Sequence, residues 1–517
     1  MKQETKQRIV IQWTGLIGGP LLAIVCYWLL PVEYQSADGG MAPFASAGRV
    51  TLAVMVWMGT WWLTEAVDVS VTALLPLGLF PLIGAGNMEQ AAAPYANPFI
   101  FLFMGGFILA LSMQRWGLGK RIALLTLRLV GTRPSNMIAG FMLVTAVLSS
   151  FVSNTATTAM MLPIAVSVVE LLRRKQAGET DRDADTKNGH VASFATCLML
   201  CIAYASSVGG MTTIIGTPPN VFLISFLKDD IPEPYQMEIS FVRWLLIGVP
   251  LAVILLPSVF LLMTRVLHPI RIRKIEGGKE LIHAELLALG SPQRGEWVTF
   301  VMFLLTVFLW IFRTLLAKIQ FDFGDVTLKP FAGLTDPGIV MLTALLLFVI
   351  PVDLKRCEFT MDWATARKLP WGILILFGGG LSLAEAVDRN HVAEFLGSQA
   401  SYFGNLPPIV LVLVVVTGIV FLTELTSNFA TTASLVPVLA ALAPGFGVSP
   451  YLLVIPAAIA ASCAFMLPVA TPPNALVFGS GEVTLPQMAR AGLLLNLISI
   501  VVITALTFLV IKPLLGF

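Results

Sequence analysis

The chain has 517 residues and a mass of 55.8 kDa, with 57% hydrophobic and 12% charged residues, a formal charge of +2 and a mean hydropathy of +0.85. This composition excludes a disordered chain, a disulfide-stapled secreted module and an ordinary soluble enzyme, because a core of this size cannot hide so much apolar surface. The chain reads as an all-α polytopic membrane protein, and its near-neutral charge gives no reason to expect a nucleic-acid partner.

A spanning helix needs about 20 mostly apolar residues. Lys2, Lys6 and Arg8 precede an apolar run at 9–30, which is too long for a signal h-region and reads as a first span with its N-terminus inside. Further runs follow at 49–66, 68–84 and 98–113. A longer stretch, 135–172, carries polar residues at its centre. Then come 191–228, 241–266, a basic loop, 297–317, 337–352 and 370–387. A second long stretch with a polar centre occupies 406–443, before 450–479 and 488–511.

Orientation follows from Lys and Arg in short loops. Arg115, Lys120, Arg121, Arg128 and Arg133 precede 135–172, and Arg173, Arg174, Lys175, Arg182 and Lys187 follow it, so both its ends are expected in the cytoplasm. The loops 265–294 and 355–368 are basic and also expected inside. The stretch 406–443 is flanked only by Arg389, beside Asp388 and Glu394, so both its ends are expected outside. Counting from a cytoplasmic N-terminus satisfies these assignments with 11 crossings and puts the C-terminus outside.

The halves echo each other. FLFMGGFILALSMQRWGLG, SSFVSNTATTAMMLPIAVSV and IIGTPPNVF recur in order as ILILFGGGLSLAEAVDRNHV, TELTSNFATTASLVPVLAAL and PVATPPNALVF. The equivalent spans are separated by an odd number of crossings, so the repeats are expected to be inverted, as in secondary transporters. The resulting division is 1–48 for the tail and first span, 49–266 for one repeat, 267–296 for a cytoplasmic loop and 297–517 for the other repeat.

Each polar-centred stretch is expected to be a re-entrant hairpin. A turn reaching water usually carries Gly, Pro or charge, and S-N-T-A-T-T-A carries none. Non-helical backbone at membrane depth survives only inside protein or beside a cavity. The following spans are interrupted at Gly216-Thr217-Pro218-Pro219-Asn220 and at Ala470-Thr471-Pro472-Pro473-Asn474. Two prolines break a helix, freeing carbonyls before the break and N–H groups after it. Carbonyls suit a hard cation such as Na⁺, and helix N-termini suit an anion. The glycine clusters Gly105-Gly106 and Gly378-Gly379-Gly380 read as close helix packing.

With these tips and breaks, and with WWLTEAVDVSVTALLPLGLFPLIG near the start, the chain resembles the divalent anion/sodium symporter family from about residue 48 onward. Members of that family carry dicarboxylates, citrate or sulfate. The resemblance implies a homodimer of 11 spans plus two hairpins in the inner or plasma membrane. It also implies an elevator mechanism, in which a transport domain slides against a scaffold. Carried over, a first Na⁺ site uses Ser149, Ser153, Asn154 and the Gly216 carbonyl. A second uses Thr423, Thr426, Asn428 and the Ala470 carbonyl. Substrate carboxylates meet Asn154, Thr155, Asn428, Thr217 and Thr471, with Pro218 and Pro472 shaping the floor. No organic cofactor is implied.

Amides and hydroxyls donate to a carboxylate without fixed charge, and paired Na⁺ ions offset the substrate's charge, so no midplane Arg or Lys is required. The tips differ at one position, Thr155 against Phe429. A phenyl ring there either narrows the pocket toward a slim C4 dicarboxylate or packs against neighbouring helices. Glu424, an intramembrane carboxylate beside the second set of ligands, either tunes the cation or is held structurally. The sequence contains no H-E-x-x-H, and its four histidines fall in loops or at span ends, which argues against an enzyme. The five cysteines read as small hydrophobes. A sodium-independent exchanger is the alternative within the transporter class.

Overall fold

The computed structural model describes residues 2–35, 40–177, 184–272, 275–323, 326–401 and 406–517. Arg182, Arg273 and Lys274 lie outside them, as do the side chains of Lys175 and Lys187.

The described chain is mostly helical. It runs α1 (Lys2–Leu29), α2 (Ser46–Thr64), α3 (Val69–Thr72), α4 (Leu75–Ile83), α5 (Met88–Ala92), α6 (Pro98–Arg115), α7 (Leu118–Val130), α8 (Pro134–Ser149) and α9 (Asn154–Ala177). It continues through α10 (Ala184–Gly210), α11 (Pro218–Ser225), α12 (Phe241–Leu261), α13 (Gly278–Ala288), α14 (Arg294–Leu316), α15 (Asp336–Val349), α16 (Trp363–Ala366) and α17 (Trp371–Arg389). The last part comprises α18 (Val392–Ser401), α19 (Pro408–Leu422), α20 (Asn428–Leu442), α21 (Tyr451–Ala461), α22 (Pro472–Gly479), α23 (Leu485–Leu506) and α24 (Lys512–Leu515). Three two-stranded antiparallel ribbons, which the sequence pattern does not reveal, also occur: β1 (Glu33–Gln35) with β2 (Met41–Pro43), β3 (Phe321–Phe323) with β4 (Val326–Leu328), and β5 (Pro351–Asp353) with β6 (Glu358–Phe359).

Among the described residues, eight helical segments are long and apolar enough to cross a bilayer, and six apolar helical segments are shorter, that at 69–83 comprising both α3 and α4. The expected run 68–84 is not one helix. Asp68 caps α3 by accepting from Ser70 N at 2.8 Å, and the chain restarts as α4 with Pro76 near its N-terminus. Proline lacks the N–H that a continuous helix would need there. The run 337–352 forms only the 14-residue α15. α1 and α14 keep most of their apolar side chains on the outside, as lipid-facing helices do, whereas α10 is almost wholly enclosed.

The glycine clusters pack as the sequence implies. A Cβ on Gly379 would overlap the Ala73 carbonyl, in the break between α3 and α4; one on Gly105 would press on Val340 of α15. Basic residues sit at helix ends. Arg121 of α7 grips Glu296 at the start of α14 with two bonds, at 2.7 and 3.0 Å, and reaches the Gly290 carbonyl at 3.0 Å. Lys120 pairs with Glu285 of α13 at 2.9 Å, and Arg115 pairs with Asp362 at 2.6 Å.

The close approach at Gly379 is testable. Gly379→Ala is expected to cost about 1–3 kcal/mol through overpacking against rigid backbone. Gly59→Ala on α2, where a Cβ meets nothing within 4 Å, should be neutral or stabilising. Thermal scans of both purified variants in detergent check this: a clearly lower apparent Tm is expected for Gly379→Ala alone.

Candidate functional site

Two helix pairs end in polar tips. At the first, α8 runs out at Ser149 and α9 begins at Asn154. Ser153 terminates the turn: its Oγ accepts from Ala156 N at 3.4 Å, and its carbonyl accepts from Thr157 N at 3.0 Å. Ser149 Oγ donates to Asn154 Oδ1 at 2.6 Å and lies 3.2 Å from Ser206 Oγ; Ser206 in turn donates to the Asn154 carbonyl at 2.9 Å. The tip is thus pinned to α10. Ser206 carries that contact, and the sequence reading did not single it out. Its only signal was a serine pair, Ser206-Ser207, within an otherwise apolar small-residue run, A-S-S-V-G-G.

The second tip repeats the pattern. α19 ends at Leu422 and α20 begins at Asn428. Thr423 Oγ1 lies 2.9 Å from Asn428 Oδ1 and 2.8 Å from the Ala461 carbonyl at the end of α21. Thr426 Oγ1 lies 2.7 Å from Thr431 Oγ1. In each tip a hydroxyl five residues earlier orients the asparagine amide.

Each tip faces a broken helix. α10 stops at Gly210 and α11 starts at Pro218; α21 stops at Ala461 and α22 starts at Pro472. The last threonine of each break is extended, with φ −147° and ψ 144° at Thr217 and φ −143° and ψ 148° at Thr471. The asparagine that closes T-P-P-N serves the same purpose twice. Asn220 Nδ2 donates to the Thr213 carbonyl at 2.8 Å and approaches those of Gly210 and Met211 at 3.4 Å. Asn474 Nδ2 donates to the carbonyls of Leu467 at 3.0 Å and Ala464 at 3.1 Å. Both asparagines are fully buried. A buried carbonyl without a donor is costly, so one side-chain amide replaces the helical N–H groups that the prolines and the irregular turn remove.

The two breaks meet. Cys463 Sγ lies 3.8 Å from Met211 Sδ, and the rings of Tyr204 and Phe465 stack edge to face at 5.4 Å. The halves also cross over: α9 packs against α22, and α20 packs against α11. Arg173, late in α9, holds Glu482 beyond α22 through two bonds at 2.7 and 2.6 Å, and Thr196 donates to the Glu482 carbonyl at 2.9 Å.

The individual candidates fall into three groups. Ser149, Gly216, Thr217, Thr423, Thr426, Ala470 and Thr471 are buried. Ser153, Asn154, Pro218 and Asn428 are half-buried, whereas Thr155 and Pro472 are exposed. Phe429 is only 5% exposed and packs on Phe377 at 4.8 Å and Phe222 at 5.6 Å, tying α20 to α17 and α11. Its ring therefore does helix packing, and Thr155, at the matching position of the first tip, does not share that environment. Among the described residues no three His, Cys, Asp or Glu side chains converge as a metal-binding group. What the tips and breaks offer is hydroxyl, amide and carbonyl oxygen, the donor set of a hard cation.

The chain matches the family model described as the sodium:sulfate symporter transmembrane region over residues 18–516. It is 40% identical over 516 residues to the sodium-dependent dicarboxylate transporter SdcS of Staphylococcus saprophyticus, covering 100% of this chain and 94% of that one. It is 39% identical over 506 residues to SdcS of Staphylococcus aureus, covering 98% and 92%. Its fold is similar to that of Neisseria gonorrhoeae MtrF, described with a class of antimetabolite efflux pumps, at a TM-score of 0.57 and 12% identity over 97% of this chain and 94% of that one. It is also similar to the Alcanivorax borkumensis YdaH transporter, at a TM-score of 0.53 and 14% identity over 96% and 97%.

The tying role of the paired asparagines can be measured. Asn220→Ala and Asn474→Ala each orphan buried carbonyls and are expected to cost about 2–4 kcal/mol. Thr155→Ala, at an exposed position, should be near neutral. Apparent unfolding temperatures in one detergent should rank the two asparagine variants well below both Thr155→Ala and the parent.

Proposed function

The chain belongs to the sodium:sulfate symporter family, and from that premise we propose that it is a Na⁺-coupled symporter importing C4 dicarboxylates such as succinate, fumarate and malate across the plasma membrane. The observation that supports this most directly is the duplicated pairing of an asparagine tip with a Thr-Pro-Pro-Asn break, the two breaks being in contact through Met211 and Cys463. The names of the 40% and 39% identical relatives agree with it in ion and in substrate class.

In this reading one Na⁺ is held by Ser149, Ser153, Asn154 and the Gly216 carbonyl, and another by Thr423, Thr426, Asn428 and the Ala470 carbonyl. The dicarboxylate lies between the tips. Its carboxylates accept from the amides of Asn154 and Asn428 and from the hydroxyls of Thr155, Thr217 and Thr471, over a floor shaped by Pro218 and Pro472. No basic side chain is needed, because the cations offset the dianion and spare a costly midplane Arg or Lys.

The topology in this reading has 11 crossings, with the α8–α9 and α19–α20 pairs as re-entrant hairpins of inverted repeats. The N-terminus is cytoplasmic and the C-terminus outside. Two copies dimerise through their scaffolds, while the loaded tips and breaks move across the bilayer as one body. Cross-packing of α9 on α22 and of α20 on α11 supports such a body, since neither half-site can shift without the other. More than two Na⁺ per dianion would couple transport to the membrane potential, worth about 2.3 kcal/mol per net charge per 100 mV.

Radiolabelled succinate uptake into proteoliposomes, with and without an inward Na⁺ gradient, is the decisive measurement. Uptake driven by the gradient, and competed by malate and fumarate more strongly than by citrate or sulfate, is expected. Uptake indifferent to Na⁺ but stimulated by internal dicarboxylate would identify an exchanger instead, and equal competition by citrate would remove the C4 preference. Asn154→Ala and Asn428→Ala should each lower uptake by about 100-fold or more, since each removes charge-assisted hydrogen bonds, while leaving the protein monodisperse.

A further inference from the structure

The halves match at their tips and breaks but differ behind them. Gly248 of α12 lies against the backbone of Met211 and Thr212; Gly492 of α23 lies in the same way against Phe465 and Met466. Four residues after each glycine, the first half has Ala252 and the second has Asn496. A second difference sits in the tips. Ser149 and Thr423 face their asparagines, and the residues that follow them are Ser150 and Glu424.

In the first half, hydroxyls hold the break. Thr212 Oγ1 lies 2.6 Å from Ser150 Oγ, Thr213 donates to the Ser150 carbonyl, and Gly216 N donates to Thr213 Oγ1 at 3.1 Å. In the second half a carboxylate takes over. Glu424 Oε1 accepts from Phe465 N at 2.7 Å, Met466 N at 2.9 Å and Asn496 Nδ2 at 2.7 Å. Glu424 Oε2 accepts from Met466 N and Leu467 N, both at 3.1 Å. Glu424 is 3% exposed and Asn496 is fully buried.

This arrangement limits what Glu424 can do. A carboxylate offers about four lone-pair sites, and five contacts from four donor groups fill them. Nothing is left for a direct cation bond. All four partners donate to it, and donors to a carboxylate make charge-assisted hydrogen bonds. Such bonds are roughly twice as strong as neutral ones, and a buried setting strengthens them further. The three backbone amides all belong to the break that leads to the Ala470 carbonyl. Fixing them fixes that carbonyl's approach, and the carboxylate's charge is felt by a cation nearby without being in contact with it. In the first half hydroxyls alone order the break, and no carboxylate stands at the matching position, Ser150.

We propose that Glu424, held in place by Asn496, is the positioning residue that orders the second break and makes the second half-site bind its cation more tightly than the first. The inference rests on the reading that each tip and its break hold a Na⁺. Its test therefore separates the two ideas. Full-length protein in liposomes is assayed for succinate uptake against external Na⁺, giving the Na⁺ concentration for half-maximal uptake and, at saturating Na⁺, the KM for succinate. Glu424→Gln keeps the shape but removes the charge. Asn496→Ala installs the residue of the first half. The half-maximal Na⁺ concentration is expected to rise about tenfold for Glu424→Gln and about threefold for Asn496→Ala, through loss of buried charge and of its support, while succinate KM stays within about twofold. Rescue by Asn496→Gln, which retains the amide donor, toward the parent's Na⁺ requirement is also expected. Monodisperse variants whose Na⁺ requirement is unchanged, or whose Na⁺ requirement and succinate KM shift equally, overturn the proposal. If Glu424→Gln does not fold, Asn496→Ala alone decides, and an unchanged Na⁺ requirement there overturns it. Parent uptake that is indifferent to replacing Na⁺ by choline would sink the sodium reading itself, before any variant is compared.

Discussion

The architecture depends on one constraint: helices broken inside an apolar interior must satisfy the backbone groups that the breaks expose. In bulk water those groups would be solvated at no great cost. Inside a bilayer each orphan costs several kcal/mol, roughly the worth of a small domain's entire stability if two or three accumulate. The protein meets this with very few side chains. Asn220 and Asn474 tend the carbonyls, Thr213 and Glu424 tend the amides, and the tips are held by Ser149 and Thr423 through the same asparagines that the proposed function assigns to substrate. Structure and site are therefore built from the same groups.

The tips and breaks were legible because their signals are local and duplicated. S-N and T-P-P-N are polar or prolyl exceptions in apolar surroundings, and their order recurs across the chain. Such exceptions mark spots where regular helix fails, and α9, α11, α20 and α22 begin at or beside them. The close-packing role of Gly105 and Gly379 was legible for a similar reason, since clustered glycine in a span has few other uses. The break between α3 and α4 was not, because one proline and a capping Asp68 are ordinary features near a span end.

The residues that escaped the sequence reading share a cause. Ser206, Asn496 and Glu482 are distant in the chain from what they hold: Asn496 lies 72 residues from Glu424, and Glu482 lies 309 from Arg173. No periodicity or spacing rule joins residues so far apart. Nor does hydropathy resolve α7 and α13, which lie beside basic loops and are held there by Arg121 with Glu296 and by Lys120 with Glu285. Phe429 is an intermediate case. Its departure from the first tip was visible, but only its neighbours Phe222 and Phe377 show that the ring serves packing.

The crossing of α9 over α22 and of α20 over α11 also bears on how the chain matures. The ribosome delivers the two halves in succession, and the Met211–Cys463 contact spans 252 residues. Until the C-terminal half emerges, the N-terminal tip has no α22 to lie against, and closing so long a loop is slow compared with forming local helix. A nascent half-pocket lined with amides and hydroxyls must therefore wait in lipid or beside insertion machinery. The paired tips and breaks are therefore completed late in synthesis, once α22 has emerged to meet α9.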